Sequence, residues 1–202
     1  NIKKDNTVSK LFKILEDKKI LNNKKFQIKI KKNIPHEAGL GGGSMNAATI
    51  LNFLIQKNFI KINQKKILQI SKLIGSDVIL GINPKSAILS SNGIVKKFSK
   101  TSRFNILLIR PNFGCSTKKI YSGVKDFSKP ILNNPRKNMM NLVSLLKYKN
   151  DLEKIAFTKY PKLKILKSFL ENLNQPLFVR MTGSGSVIVA YYQKKQDCKL
   201  AK

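Results

Sequence analysis

Residues Pro35-His36-Glu37-Ala38-Gly39-Leu40-Gly41-Gly42-Gly43-Ser44-Met45-Asn46 carry four glycines within five positions. Such a run can curl until several backbone N–H groups converge on one anion, with no Cβ in the way. Ser44-Met45-Asn46-Ala47-Ala48 then reads as the start of a helix, whose first turn carries unpaired N–H groups and a partial positive charge. Together they predict a phosphate site, entered through Ile34-Pro35. It is not a Walker loop, because no Gly-Lys-Ser/Thr follows. It is not a Rossmann loop either, since Ser44 stands where the spacing needs a glycine. His-Arg-Asp and Asp-Phe-Gly are both absent, which excludes a protein kinase.

Phosphoryl transfer also needs a group to receive a proton. Asp77 is a candidate. It is one of ten acidic residues and stands between Gly75-Ser76 and the apolar Val78-Ile79-Leu80, an odd place for a solvated carboxylate. On residue type alone, a helix cap or turn role suits it equally well. Gly183-Ser184-Gly185-Ser186 reads, on its residues alone, as a tight turn between two strands. The Ser44 hydroxyl suits two roles, a Mg²⁺ ligand or the N-cap of the helix behind it. His36, the only histidine, is given no proton-transfer role. Asp151 with Glu153 reads as helix capping by Asp151 rather than as a metal pair.

The elements that must hold these residues follow from periodicity. Val8, Leu11, Phe12 and Leu15 predict a helix over 6–16, capped by Asn6. Phe26, Ile28 and Ile30 alternate with polar residues and predict a strand over 25–32. Helices are expected over 44–57 and 62–74, and a hairpin over 86–98 around Asn92-Gly93. After a polar joint, Lys100-Thr101-Ser102-Arg103, a buried strand is expected over 104–110. A helix capped by Ser116 or Thr117 comes next, then helices near 138–147, 151–159 and 162–173, and strands over 177–181 and 187–192. The fold class is α+β with two lobes, 1–100 and 101–202. A split βαββαβ sandwich would need a further helix and strand beyond 192, where only a helix is beginning.

Composition narrows the setting. Forty basic residues against ten acidic ones give a net charge of +30. The lysines are scattered as singles and doublets, without a basic tail, which points to compositional bias rather than a nucleic-acid tract. No apolar run is long enough to span a membrane, and no secretory leader is visible. Cys115 and Cys198 lie far apart with neither metal nor disulfide spacing. The expectation is a cytoplasmic enzyme without a nucleic-acid or membrane partner.

At this point the residues resemble a family. Residues 35–48 resemble the phosphate loop of the GHMP kinases, small-molecule kinases that use ATP. Leu73-Ile74-Gly75-Ser76-Asp77-Val78 resembles the segment bearing their catalytic aspartate. Arg110-Pro111 with Ser116-Thr117 and Tyr121, and Asn150-Asp151-Leu152-Glu153 with Pro161, resemble further stretches in the same order. Met181-Thr182-Gly183-Ser184-Gly185-Ser186 resembles their third motif. The triple glycine followed by Ser-x-Asn-Ala-Ala resembles the member that phosphorylates a hydroxyl of a cytidine-diphosphate substrate in non-mevalonate isoprenoid precursor synthesis. Other members usually carry Gly-Leu-Gly-Ser-Ser-Ala.

The resemblance implies an N-terminal lobe of the ribosomal protein S5 domain 2 type and a ferredoxin-like C-terminal lobe. It implies ATP and Mg²⁺ as cofactors, Asp77 as the catalytic base, and residues 35–45 against the nucleotide. Gly183, Ser184, Gly185 and Ser186 are implied to brace that loop. Met45 and Ile79 depart from the family pattern, which has a small polar residue and a proline there. The family's leading lysine-bearing strand and its Asp-Gly-Tyr-His segment are not found, so the chain reads as clipped at both ends. Oligomeric state is not implied. The alternatives are another GHMP kinase, such as homoserine kinase, and an RNA-binding protein of related N-lobe fold. Against the latter, Trp is absent and most phenylalanines fall at core-spaced positions.

Overall fold

The structure is a computed structural model that describes residues 6–99, 101–126 and 128–202. The chain divides into two compact units. One takes the described residues up to Lys32, Gly41–Ser99 and Leu132–Asn134. The other takes Asn33–Leu40, the described residues from Thr101 to Ile131, and Pro135–Lys202. Lys100, at the expected joint, lies outside the described residues. Residues 33–40 were expected in the N-terminal lobe; they cluster with the second unit, because their backbone hydrogen bonds go there.

In the first unit, helix α1 (Thr7–Asp17) opens on Asn6, whose side chain accepts from the Val8 and Ser9 amides at 2.9 and 3.2 Å. Its Val8, Leu11 and Leu15 form one buried stripe. Burial of each such side chain is worth about 1.5–3 kcal/mol, so a charge at Leu11 would break the helix away from its neighbours. Leu11 and Leu15 pack with Ala47, Ala48, Leu51 and Leu54 of α2 (Gly42–Gln56) and Ile67, Ile70 and Ile74 of α3 (Gln64–Ile74). A one-turn helix, α4 (Val78–Gly81), follows, and Val78 enters the same core. Gly81 lies so close to α2 that an added Cβ would stand 2.6 Å from the Ala48 Cβ. Strands β1 (Ser86–Leu89) and β2 (Val95–Phe98) form the expected antiparallel hairpin, in register Ser86 to Phe98. Gly93 supplies the left-handed residue of the turn, at φ +78°.

The strand expected over 25–32 does not form a ladder. Its apolar alternation is real, and Phe26 packs edge-on to Phe59 at 5.3 Å between ring centroids. A strand needs a partner to receive its N–H and C=O groups. Among the described residues none lies alongside.

In the second unit, β3 (Asn105–Ile109), β4 (Phe178–Met181) and β5 (Ile188–Tyr192) form a sheet of order β3–β5–β4. Both pairings are antiparallel, so β3 and β4 run parallel with β5 between them. This is the split βαβ arrangement. Between β3 and β4 come α5 (Thr117–Tyr121), a 3₁₀ turn (Lys137–Met140), α6 (Leu142–Lys147), α7 (Leu152–Lys159) and α8 (Pro161–Glu171). The single helix expected over 138–147 is divided at Asn141, whose side chain accepts from the Ser144 amide and starts a new helix. Pro161 opens α8 at its first turn, where a missing N–H costs nothing. Met181, Ile188, Ala190 and Tyr192 pack against Ala156, Leu163 and Leu170. The last helix, α9 (Lys195–Leu200), follows β5. Among the described residues no helix is long and apolar enough to cross a membrane.

Candidate functional site

The glycine run is not one uniform loop. Its first half is tied into the second unit by backbone bonds. The Glu37 carbonyl accepts from the Cys115 and Ser186 amides, each at 3.0 Å, and the Ala38 carbonyl accepts from Val187 N–H at 3.1 Å. The Thr182 hydroxyl donates to the Gly39 carbonyl at 3.2 Å. Gly39 has φ +73°, and a Cβ there would lie 2.2 Å from the Thr182 carbonyl oxygen. The first glycine is therefore required by packing against residues 182–185. The expectation that Gly183–Ser186 meets the first loop corresponds to this contact. Its residues are themselves fastened: Thr117 and Ser184 share a hydroxyl hydrogen bond (3.0 Å), and Ser186 Oγ donates to the Phe113 carbonyl at 2.7 Å.

The second half belongs to the first unit and starts α2. Gly41 is the N-cap, at φ +66°, and among the described residues no side-chain capping bond is made there. The ladder opens with Met45 N–H donating to the Gly41 carbonyl at 3.0 Å, so the amides of Gly42, Gly43 and Ser44 precede it. A Cβ on Gly41 would meet nothing within 4 Å. Ser44 is already inside the helix, so its proposed N-cap role is overturned; the helix starts two residues earlier because glycine can take the left-handed cap geometry. Gly43 has a packing reason of its own: a Cβ there would lie 3.2 Å from Thr7 Oγ1, which donates to the Gly43 carbonyl at 2.7 Å.

Asp77 precedes α4 and makes no side-chain capping bond, so its carboxylate is not consumed as a cap. It is exposed and accepts from Ser76 Oγ at 3.1 Å. Its backbone is held from both sides. Lys10 Nζ donates to the Ile74 carbonyl at the end of α3, and Asn52 Nδ2 donates to the Gly81 carbonyl at the end of α4, each at 3.2 Å. Pro35, His36 and Glu37 are exposed, Ala38 is buried, and Leu40 and Met45 are half-buried.

Cys115 is buried beside Glu37, and its thiol is pushed up to about 11, first by burial and then by the Glu37 carboxylate. It stays protonated and is no nucleophile at neutral pH. Among the described residues no group of three or more His, Cys, Asp or Glu could hold a metal.

Sequence reasoning missed the residues behind the second loop. Asp151 was expected to cap α7, but its side chain makes no capping bond and accepts instead from Ser128 Oγ at 2.8 Å. Asn150 caps in its place, accepting from the Leu152 amide at 3.0 Å. The Asn-x-x-Glu spacing signals a helix start; the partners of Asn150 and Glu153 more than two dozen residues away carry no local signal.

Comparison with known proteins gives consistent matches. The family model for the GHMP kinases N terminal domain matches residues 6–84. The 4-diphosphocytidyl-2-C-methyl-D-erythritol kinase of Pelagibacter ubique is 58% identical over 201 residues, covering 100% of this chain and 72% of that protein. The kinase of the same name from Petrotoga mobilis is 35% identical, covering 91% of this chain and 74% of its own length. Among solved structures, a 4-(cytidine 5'-diphospho)-2C-methyl-D-erythritol kinase superposes with a TM-score of 0.75 at 22% identity, over 99% of this chain and 74% of that one. A homoserine kinase from Cytophaga hutchinsonii reaches 0.69 at 15% identity, over 97% and 69%.

Proposed function

The chain belongs to the 4-diphosphocytidyl-2-C-methyl-D-erythritol kinase family of GHMP kinases, and from that premise we propose how its residues serve the reaction. The activity is ATP-dependent phosphorylation of the 2-hydroxyl of 4-diphosphocytidyl-2-C-methyl-D-erythritol, a step in non-mevalonate isoprenoid precursor synthesis. The homoserine kinase likeness, at 15% identity, is a likeness of fold.

The observation that carries the site reading is the uncapped N-terminus of α2 behind a left-handed Gly41. In our reading the ATP phosphates lie on the amides of residues 39–44, with Pro35, His36, Glu37, Ala38 and Met45 flanking the nucleotide. The free N–H groups and the helix dipole supply fixed positive charge where negative charge must be held. Ser44 Oγ is the protein oxygen offered to Mg²⁺, which when bound would neutralise phosphate charge. Asp77 accepts the proton of the substrate hydroxyl. That oxygen bonds to the γ-phosphorus as the bridge to the β-phosphate breaks, and ADP leaves. Gly183–Ser186 holds the Glu37–Gly39 segment of the loop in place. The free cysteines and the nucleotide substrates suit a cytoplasmic setting.

The test is phosphate transfer from labelled ATP to the cytidine-diphosphate substrate by the gene product carrying this chain. Asp77→Asn should lower turnover by about 10²–10⁴-fold with ATP affinity retained. Transfer to homoserine in place of the cytidine-diphosphate substrate would sink the substrate assignment. Full turnover in Asp77→Asn would remove Asp77 as the base.

A further inference from the structure

We infer that Asn150 is a positioning residue for the nucleotide loop, acting through the 182–186 turn; this rests on the reading that residues 39–44 hold ATP phosphates. Its side-chain amide donates twice, to the Met181 carbonyl at 2.9 Å and to the Gly183 carbonyl at 2.8 Å. Its Oδ1 meanwhile caps α7 by accepting from the Leu152 amide. One side chain thus spends its oxygen on a helix start and both its N–H groups on the turn, the full donor capacity of an asparagine amide.

Glu153, one turn along α7, completes the clamp. Its Oε1 accepts from the Met181 amide at 2.6 Å, and its Oε2 is paired with Lys167 Nζ of α8 at 2.8 Å. The Met181 N–H and C=O and the Gly183 C=O are all taken up by side chains of Asn150, just before α7, and Glu153, in its first turn. The turn they fasten contacts the Gly39 carbonyl through Thr182, and its Ser186 and Val187 amides hold Glu37 and Ala38. The order of support runs from α7 through Asn150 to the turn and on to residues 37–39. A loop that must offer its amides to a phosphate gains from being held before the ligand arrives, because less ordering remains to be done on binding.

Asn150→Asp is the discriminating variant. It keeps the shape and the capping oxygen and removes both donations. Calorimetry with a non-hydrolysable ATP analogue should show affinity reduced about tenfold, as expected for the loss of two modest hydrogen bonds, and the melting temperature should fall as well, since two carbonyls lose their donor and face a carboxylate. Hydrogen exchange should quicken at the amides of Ser186 and Val187 and not in α1. Unchanged affinity and exchange overturn the inference. If Asn150→Asp does not fold, the parent protein decides: the Asn150 side-chain amide resonances should move on titration with the analogue, and their failure to move refutes the role. If the parent itself binds no analogue, the phosphate-loop reading falls, while the exchange comparison still tests the anchor.

Discussion

Gly39 and Gly41 stand two residues apart, both with left-handed backbones, yet they are glycines for different reasons. A Cβ on Gly39 would run into the Thr182 carbonyl at 2.2 Å; a Cβ on Gly41 would meet nothing. The first lies in a segment stitched by backbone bonds to Cys115, Ser186 and Val187. The second caps a helix that has no side-chain capping bond among the described residues. A glycine-rich loop therefore combines a packed half, where absence of a side chain permits close contact within the protein, and an open half, where it leaves backbone donors accessible. A phosphate loop needs both, since a freely mobile ribbon of glycines would pay the ordering entropy on every binding event.

The sharpest way to break this contrast is Gly39→Ala. The new methyl meets backbone rather than a flexible side-chain end, and the left-handed φ adds its own penalty. Destabilisation of about 3 kcal/mol or more is expected in denaturant titration. A loss under 1 kcal/mol would show that the Thr182 contact is loose.

Alkaline pH probes the packed half by a different route. The folded Cys115 thiol is raised from its ordinary 9.0 to about 11, so the unfolded chain releases this proton first. Its contribution is fully present below pH 9 and is lost as pH rises towards 11, on the order of 2 kcal/mol. Cys115→Ala should flatten the stability profile over that window relative to the parent. Identical slopes would mean that the thiol is solvated.

The smallest effect on stability is expected at Gly41→Ala, about 1–2 kcal/mol for a left-handed alanine with no clash. Its ATP affinity should nevertheless fall at least tenfold, because relaxing the cap redirects the first amides of α2. If Gly39→Ala and Gly41→Ala lose stability and affinity in equal proportion, the two halves are not distinct.

Much of this was legible in the sequence. The stripe Val8, Leu11, Leu15 and the Asn6 cap define α1 within a residue of the observed helix, because capping and amphipathic spacing act over one or two turns. Asn92-Gly93 marks the hairpin for the same local reason. The family resemblance rests on short stretches in a fixed order, and the 58% identical relative agrees with it. Errors arose where local logic competes with distant partners. The 25–32 stretch alternates like a strand, but a ladder is a property of two segments. Ser44 looked like a cap because hydroxyls usually cap helices, and only the backbone angle of Gly41 moved the start forward.

The sequence by itself determined most of the helices, the hairpin and the glycine run, all of which depend on residues within a few positions of one another, whereas Asp77, expected away from solvent, is exposed. The tertiary structure decided that Glu37–Gly39 is stitched into the second unit, that Gly39 and Gly41 differ, and that Asn150 rather than Asp151 caps α7 while bracing the 182–186 turn. Those facts join residues as many as 149 positions apart, as between Glu37 and Ser186. They rest on hydrogen bonds and close approach through space, for which neighbouring residues in the chain leave no trace.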